Sequence, residues 1–131
     1  MSFPRVLVVD DFTTNHVLVK AMMKPYRLEI DCVKSGLEAI DAIRNEKVRY
    51  NAVFMDHMMP EMDGPEAVRI IRNEIGTEYA RNIPIIAMTS NAVVGNEDIY
   101  LSIGFQAVIS KPIQIASLDA IIKEWVQPFE R

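Results

Sequence analysis

Five side chains that could act on a phosphate group follow apolar stretches of the sequence. Asp10 and Asp11 end the first stretch, Asp56 the third, Thr89 the fourth and Lys111 the fifth. Three carboxylates close together repel one another and raise one another's pKa unless a positive charge joins them. A hard divalent cation such as Mg²⁺ prefers oxygen ligands and keeps several waters, which leaves room for a phosphate. The set therefore predicts a magnesium site beside a phosphate-handling group.

The chemistry we expect at this site is phosphoryl transfer onto Asp56. A carboxylate that attacks phosphorus becomes an acyl phosphate, and the metal and Lys111 would offset the charge on the transferring group. The Thr89 hydroxyl can donate to another phosphoryl oxygen. Taken alone, each residue has an ordinary explanation: Asp11 could cap a helix, Thr89 could lie in a turn and Lys111 could be a solvated charge. Four strand ends that all carry reactive or charged groups favour a shared site.

The elements that must position these side chains alternate along the chain. Five apolar stretches at residues 5–10, 28–33, 51–56, 83–89 and 106–111 are separated by segments of helical character. Three stretches are nearly continuous runs of apolar residues, typical of parallel strands covered on both faces. The second stretch alternates between apolar and polar residues, which favours an edge position.

Helix punctuation supports this division of the chain. Ser35 and Glu38 fit a capping box, and Asp63 precedes a helix whose first turn tolerates Pro65. Ser117 is a candidate cap for the last helix. We place the first helix at about residues 13–24 and the fourth at about 93–103, which gives five helices in all.

The alternation predicts an α/β fold with one parallel sheet, right-handed crossovers and helices on both faces. The flavodoxin-like (βα)5 doubly wound arrangement, with strand order 2-1-3-4-5, is the favoured topology. We expect a single domain over residues 1–131. Sheets of this class bind ligands beyond the carboxyl ends of their strands, where the five side chains are predicted to lie.

Composition narrows the classes of function. The 131 residues include 14 Lys and Arg and 18 Asp and Glu, and the net charge is −4. This balance gives no electrostatic basis for nucleic-acid binding or for a membrane-surface role. The single cysteine allows no intrachain disulfide. No signal peptide pattern and no apolar run of the roughly 20 residues needed to span a bilayer is found, so we expect a cytoplasmic protein.

Four segments around the strand ends resemble the receiver domain of two-component response regulators. They are VLVVDD, VFMDHMMPEMDG, IIAMTS and VISKPI, in the family's order, and the resemblance spans essentially the whole chain. The chain is similar to chemotaxis regulators, and residues 72–92 are more similar to receivers of hybrid histidine kinases. The resemblance implies a domain that takes a phosphoryl group from the phosphohistidine of a sensor histidine kinase or a phosphotransfer protein. Such a domain is not an enzyme beyond its own phosphorylation and dephosphorylation.

The resemblance also implies the roles of individual residues. Asp56 matches the phosphoacceptor, Asp11 the acid that binds Mg²⁺ directly and Asp10 the acid that reaches it through water. Met58 matches the position that offers its backbone carbonyl to the metal. Because the Met58 side chain cannot position an attacking water and Asn91 could do so only partly, we expect slow or intermediate self-dephosphorylation.

Thr89 and Lys111 match the pair that senses and binds the phosphoryl group, and the resemblance implies a cis bond after Lys111. The family often has an aromatic residue three positions before this lysine, and here the residue is Val108. Tyr100 and Phe105 lie nearby in the sequence but out of register, so we assign neither to that role. His57 is expected to point away from the pocket, because successive side chains of a strand alternate.

Phosphorylation would shift the surface formed by the fourth predicted helix, the fifth strand and the last helix, and would thereby control a partner or an output domain. A weak homodimer is compatible with this role. One alternative is a degenerate receiver that acts as a phosphorylation-independent binding module. Another is a haloacid-dehalogenase-like phosphohydrolase, but its nucleophile lies in a D-x-D motif, whereas Asp10 and Asp11 are contiguous and followed by Phe12.

Overall fold

The five predicted strands form one parallel sheet. A computed structural model describes residues 3–90 and 97–126 of the chain. The strands are β1 (Arg5–Val9), β2 (Glu29–Val33), β3 (Ala52–Asp56), β4 (Ile85–Thr89) and β5 (Ala107–Ser110). All neighbouring pairs are parallel, in the order β2-β1-β3-β4-β5. The flavodoxin-like topology is therefore confirmed, with β2 at an edge as its alternating sequence predicted.

Helices cover both faces of the sheet. They are α1 (Thr13–Met23), α2 (Gly36–Asn45), α3 (Gly64–Glu74), α4 (Glu78–Asn82), α5 (Glu97–Ile103) and α6 (Ile115–Trp125). The short α4 was not predicted; the Thr77 hydroxyl caps it by accepting a hydrogen bond from the Ala80 amide at 3.1 Å. The fourth predicted helix corresponds to α5, and the first residues predicted for it lie outside the described part of the chain. No described helix is both long and apolar enough to cross a membrane.

The predicted cap of α2 is present and Asp63 caps α3, but the predicted cap of α6 is not found. The Ser35 hydroxyl accepts from the Glu38 amide at 3.1 Å, and Asp63 accepts from the Glu66 amide at 2.9 Å. Ser117 was predicted to cap the last helix, but α6 begins two residues earlier, after Gln114. That prediction was wrong because the apolar Ile115 and Ala116 are already helical, so Ser117 lies inside the first turn.

Strand side chains divide between two apolar layers. Val9, Met55 and Ala87 pack into the layer under α2, α3, α4 and α5, whereas Val8 and Phe54 pack into the layer under α1 and α6. Because the side chains of a strand alternate between the two faces of the sheet, this division also shows on which face each residue at the carboxyl end of a strand lies. The alternation places Asp10 and Asp56 on the α1–α6 side of the strand ends. It places His57 and Thr89 on the α5 side.

Arg72 ties three segments together on the α5 side. Its guanidinium donates to the carbonyl of Gly104 at 3.0 Å, the carbonyl of Ala80 at 2.9 Å and the side-chain oxygen of Gln106 at 2.7 Å. Burial lowers the pKa of Arg72 to about 10, so the side chain remains charged at neutral pH. It therefore fixes the turn before β5 to both α3 and α4.

We expect Arg72→Met to lower the free energy of unfolding by about 2–4 kcal/mol, because buried acceptors lose a charged donor. Urea denaturation measures the change. The matched control is Arg69→Met on the same helix, where an exposed arginine pairs with Glu66. Its cost should stay below about 1 kcal/mol. Equal costs for the two variants would show that Arg72 contributes no more than a surface ion pair.

Candidate functional site

The strand ends bring the predicted carboxylates and Lys111 together. The Lys111 ammonium lies 2.8 Å from Asp56 Oδ1 and 3.3 Å from Asp10 Oδ2. Oxygens of Asp10, Asp11 and Asp56 all lie within 4.8 Å of one another. Asp10 and Asp56 are buried, at 1% and 6% exposure. Four of the five predicted side chains therefore form one cluster at the carboxyl edge of the sheet.

Asp10 is held rigidly by the start of α1. Its two carboxylate oxygens accept from the Phe12 amide and from the Asn15 side-chain amide, each at 3.0 Å. Its backbone carbonyl lies 2.7 Å from His16 Nε2, which must carry the proton because a carbonyl can only accept. Neither Asn15 nor His16 was predicted to belong to the site. In the sequence, only their closeness to Asp10 and Asp11 indicated that Asn15 and His16 lie near the site.

One carboxylate oxygen of Asp11 is the strongest indication of a metal site. Its Oδ1 atom is buried and has no hydrogen-bond partner within residues 3–90 and 97–126. Buried polar atoms are nearly always satisfied, and a buried carboxylate oxygen beside two other carboxylates is a costly arrangement. An oxygen-seeking cation between the three acids would satisfy this atom and offset the repulsion. The residues present therefore fit Mg²⁺.

The electrostatics of the cluster point the same way. Burial raises the pKa of Asp56; the hydrogen bond from Lys111 opposes this, and the charges of Asp10 and Asp11 add to it. Burial alone would lower the pKa of Lys111, but its hydrogen bond to Asp56 and the charges of Asp56 and Asp10 raise it overall. Lys111 is thus protonated at neutral pH, and its single positive charge only partly neutralises the negative charge of the three carboxylates.

Mg²⁺ should therefore stabilise the folded protein. We expect a gain of about 1–3 kcal/mol in the free energy of unfolding at saturating Mg²⁺, because the ion binds the folded cluster and not the unfolded chain. Asp11→Asn should lose most of this gain, whereas the exposed Asp41→Asn should keep it. Denaturation with Mg²⁺ and with EDTA measures both. An equal Mg²⁺ response in the Asp11 variant would contradict a site built on that residue.

The Thr89 hydroxyl does not join the carboxylates. It accepts a hydrogen bond from the Tyr100 hydroxyl at 3.2 Å and lies 3.4 Å from His57 Nδ1, on the α5 side. His57 lies on the side opposite Asp56, as strand alternation predicted. Thr89 lies on that same side, where α5 brings Tyr100 to it, and neither position was predicted. Alternation could have paired His57 with Thr89, but no sequence signal located Tyr100.

Two backbone features shape the loops around the site. The Gly64 amide donates to the His57 carbonyl at 2.8 Å, and a Cβ on Gly64 would lie only 2.4 Å from the Asp56 carbonyl oxygen. Only glycine therefore allows the start of α3 to pack this closely behind Asp56. The bond between Lys111 and Pro112 is cis, which confirms what the resemblance implied. Asn91 lies outside the described residues.

Comparison with known proteins agrees with this geometry. The family model of the response regulator receiver domain matches residues 6–123. The receiver domain of the sensor histidine kinase PA1611 from Pseudomonas aeruginosa PAO1, solved with magnesium coordinated in its active-site cleft, is 31% identical. The match covers 95% of this chain and 98% of that one, with a TM-score of 0.80.

Two further relatives extend the comparison. The sensor protein GacS of Pseudomonas syringae pv. syringae is 32% identical over 122 residues, which span 93% of this chain but 13% of that protein. The Saccharomyces cerevisiae receiver domain of Ssk1, solved with the histidine phosphotransfer protein Ypd1, is 24% identical and shares the fold, with a TM-score of 0.78 over 96% of this chain and 92% of that one. The chain belongs to the family of response regulator receiver domains, the signalling modules of two-component phosphorelays.

Proposed function

We propose that Asp56 is the phosphoacceptor of this receiver domain and that it takes its phosphoryl group from a phosphohistidine. The observation that carries the proposal is the cluster itself: a buried carboxylate lies 2.8 Å from a lysine ammonium and beside two acids. One of these acids, Asp11, has a buried oxygen without a hydrogen-bond partner among the described residues. A merely structural ion pair would need one acid for the lysine, not three. The cluster instead suits a carboxylate that accepts a negatively charged phosphoryl group while a divalent cation is bound beside it.

In the proposed reaction, an oxygen of the Asp56 carboxylate attacks the phosphorus of the phosphohistidine. A bond between that oxygen and phosphorus forms, the phosphorus–nitrogen bond breaks, and its electron pair remains on the departing imidazole. Lys111 holds a phosphoryl oxygen as a point charge, and Thr89 donates to another. Asp10, Asp11, Asp56 and the Met58 carbonyl would hold Mg²⁺, which supplies positive charge to the transferring group.

The proposed donor is a sensor histidine kinase or a histidine phosphotransfer protein. Exposed apolar side chains adjoin the site: Phe12 follows Asp11, and Leu18 lines a cavity of about 360 Å³ that reaches Lys111. Such a rim suits the apolar surface of a docking protein rather than a small charged substrate. The proposal places the domain in the cytoplasm, where ATP for a donor kinase is available. The comparisons give no support to a phosphohydrolase or to a degenerate binding module.

The proposed output is a change in the surface formed by α5, β5 and α6. Phosphorylation would favour a second arrangement of this surface and so alter the affinity for a partner, an attached output domain or a second copy of the chain. Two contacts support this proposal: Asp56 pairs with Met88 in the sheet, and the next residue, Thr89, contacts α5 through Tyr100.

Intact mass after incubation with acetyl phosphate tests the proposal. We expect a single phosphoryl adduct that forms with Mg²⁺, fails to form with EDTA and is removed by hydroxylamine, as an acyl phosphate should be. The decay of the adduct measures its lifetime, which the Met58 side chain predicts to be longer than seconds. An adduct that forms equally well in EDTA, or no adduct when Mg²⁺ binding is shown separately, would contradict the proposal.

A further inference from the structure

Three hydrogen-bonding side chains meet on the α5 side of the strand ends. The Tyr100 hydroxyl lies 2.7 Å from His57 Nδ1 and 3.2 Å from Thr89 Oγ1. Tyr100 is 5% exposed and Thr89 is 2% exposed, so this contact is shielded from water. Buried contacts between hydroxyls and a ring nitrogen have a defined direction, because each proton can be donated only once.

The direction of donation is set by the hydrogen bond from Tyr100 to Thr89. Tyr100 has one hydroxyl proton, which it donates to Thr89 Oγ1. Its oxygen then accepts from His57, whose Nδ1 must carry the proton. His57 therefore donates to Tyr100, and Tyr100 donates to Thr89. We call Tyr100 and His57 together the Thr89 clamp.

The clamp holds Thr89 on the side away from the phosphoacceptor. Asp56 pairs with Met88 in the sheet and its carboxylate contacts Lys111, on the side of α1 and α6. Thr89 follows Met88, so its side chain falls on the opposite side, where Tyr100 lies. To donate to a phosphoryl group on Asp56, the Thr89 hydroxyl has to turn across the end of β4 and give up its bond from Tyr100.

Tyr100 cannot follow Thr89 without moving α5. Its ring packs edge-to-face against His57, with the ring centroids 5.3 Å apart, and against Phe105, with the centroids 5.7 Å apart. Its carbonyl accepts from the amides of Gly104 and Phe105 in the turn that leads to β5. The exposed Ile99 and Leu101 flank it on the outer surface of the same helix. A change in the hydrogen bonding of the Tyr100 hydroxyl therefore affects the position of α5 and of the exposed apolar side chains on that helix.

We propose that Tyr100, oriented by His57, is a positioning residue that keeps the Thr89 hydroxyl away from Asp56 in the unphosphorylated protein. The inference rests on the proposed function. Phosphorylation then competes with the clamp for one hydroxyl, and the release of Tyr100 transmits the event to α5. The strand position at which the family often has an aromatic residue holds Val108, which packs against the apolar layer that includes Tyr100 and Phe105. Here the aromatic contact to Thr89 comes from the helix instead.

The experiment measures the affinity of beryllofluoride, a phosphoryl analogue, by calorimetry in Mg²⁺. Tyr100→Phe removes one hydroxyl and keeps the ring, so the clamp no longer competes for Thr89. We expect beryllofluoride to bind roughly 5-fold more tightly, the effect of one hydrogen bond lost from the competing state. His57→Phe should shift the affinity in the same direction, because Tyr100 loses the donor that orients it.

Two controls separate the clamp from a general loss of packing. Tyr79→Phe removes another buried tyrosine hydroxyl, which accepts from the Tyr50 amide at 2.6 Å, at the opposite edge of the sheet. It should leave the beryllofluoride affinity unchanged whatever it does to stability. In a Thr89→Val background, which lacks the contested hydroxyl, Tyr100→Phe should have no effect on affinity.

Each outcome decides the question. Tighter binding that depends on the Thr89 hydroxyl supports the clamp. Unchanged or weaker binding by Tyr100→Phe, or an equal gain in the Thr89→Val background, overturns it while the proposed function stands. If the wild-type protein binds Mg²⁺ but not beryllofluoride, the proposed function fails and the clamp fails with it.

Discussion

The Asp56→Asn protein is expected to take up no phosphoryl group from acetyl phosphate and, in EDTA, to be more stable than the wild type. Asparagine has nearly the same shape as aspartate but cannot form an acyl phosphate. It also removes a buried negative charge that faces Asp10 and Asp11. Burial raises the pKa of Asp56 because the ionised form is disfavoured in the fold. We expect a gain of roughly 0.5–2 kcal/mol in the free energy of unfolding.

The pH dependence of this gain has a definite sign. When the folded-state pKa of an aspartate is raised, the folded protein binds more protons than the unfolded chain, so wild-type stability falls as the pH rises through that pKa. The advantage of Asp56→Asn should therefore be present at neutral pH, should shrink as the pH falls through the raised folded pKa, and should be lost below the usual pKa of an aspartate. Mg²⁺ should also shrink it, because the ion stabilises the wild-type cluster.

Urea denaturation of both proteins in EDTA and in Mg²⁺ at neutral and acidic pH measures these effects. The matched control is Asp41→Asn, which neutralises an exposed acid far from the cluster. The Asp41→Asn protein keeps the cluster intact, so its stability should respond to Mg²⁺ and to pH as that of the wild type does. A less stable Asp56→Asn protein at neutral pH in EDTA would mean that the Lys111 ion pair outweighs the repulsion among the acids.

Lys111→Met is expected to have the opposite effect on stability. The substitution leaves Asp56 and Asp10 facing each other without the ammonium that contacts both. Removing one partner of a buried ion pair typically costs 3–5 kcal/mol, and because Lys111 is 26% exposed we expect about 2–4 kcal/mol. Since the pKa of Lys111 is raised in the fold, this contribution is fully present at neutral pH and is lost as the pH rises through the folded pKa.

Mg²⁺ should restore part of the stability that Lys111→Met loses, because the ion supplies positive charge to the same acids. The matched control is Lys123→Met on α6, where an exposed lysine pairs with Asp119 at 3.0 Å. Its cost should be below about 1 kcal/mol and should not depend on Mg²⁺. Thermal or urea denaturation of the two variants with and without Mg²⁺ checks the comparison. Equal costs would contradict the central place of Lys111 in the cluster.

The sheet and the carboxylate cluster were predictable because both depend on local patterns. Apolar stretches fix the strands, the alternation of strands and helices fixes the topology, and the ends of parallel strands necessarily meet at one edge. Asp10, Asp56 and Lys111 each end such a stretch, so their meeting follows from the topology. The structure adds the distances within the cluster, which the pattern could not give. It also shows that Asp11 Oδ1 is buried without a hydrogen-bond partner in the described part of the chain.

The contacts of Thr89 were less predictable, for a physical reason. The position of Thr89 at the end of β4 follows from the sequence, but the side toward which its hydroxyl turns depends on what lies there. Tyr100 comes from a helix, and the depth and rotation of a helix over a sheet depend on packing rather than on local sequence. Helix α4 escaped prediction because its five residues are too few to show a helical period.

The residue that carries the phosphoryl group can be located directly. The protein is phosphorylated with acetyl phosphate and Mg²⁺ and then treated with borohydride, which reduces an aspartyl phosphate to homoserine. Peptide mass spectrometry identifies the converted residue. We expect homoserine at position 56 and unmodified aspartate at positions 10 and 11. Conversion at either of these acids, or a phosphoryl group on His57 that borohydride leaves intact, would contradict the assignment of Asp56 as the acceptor.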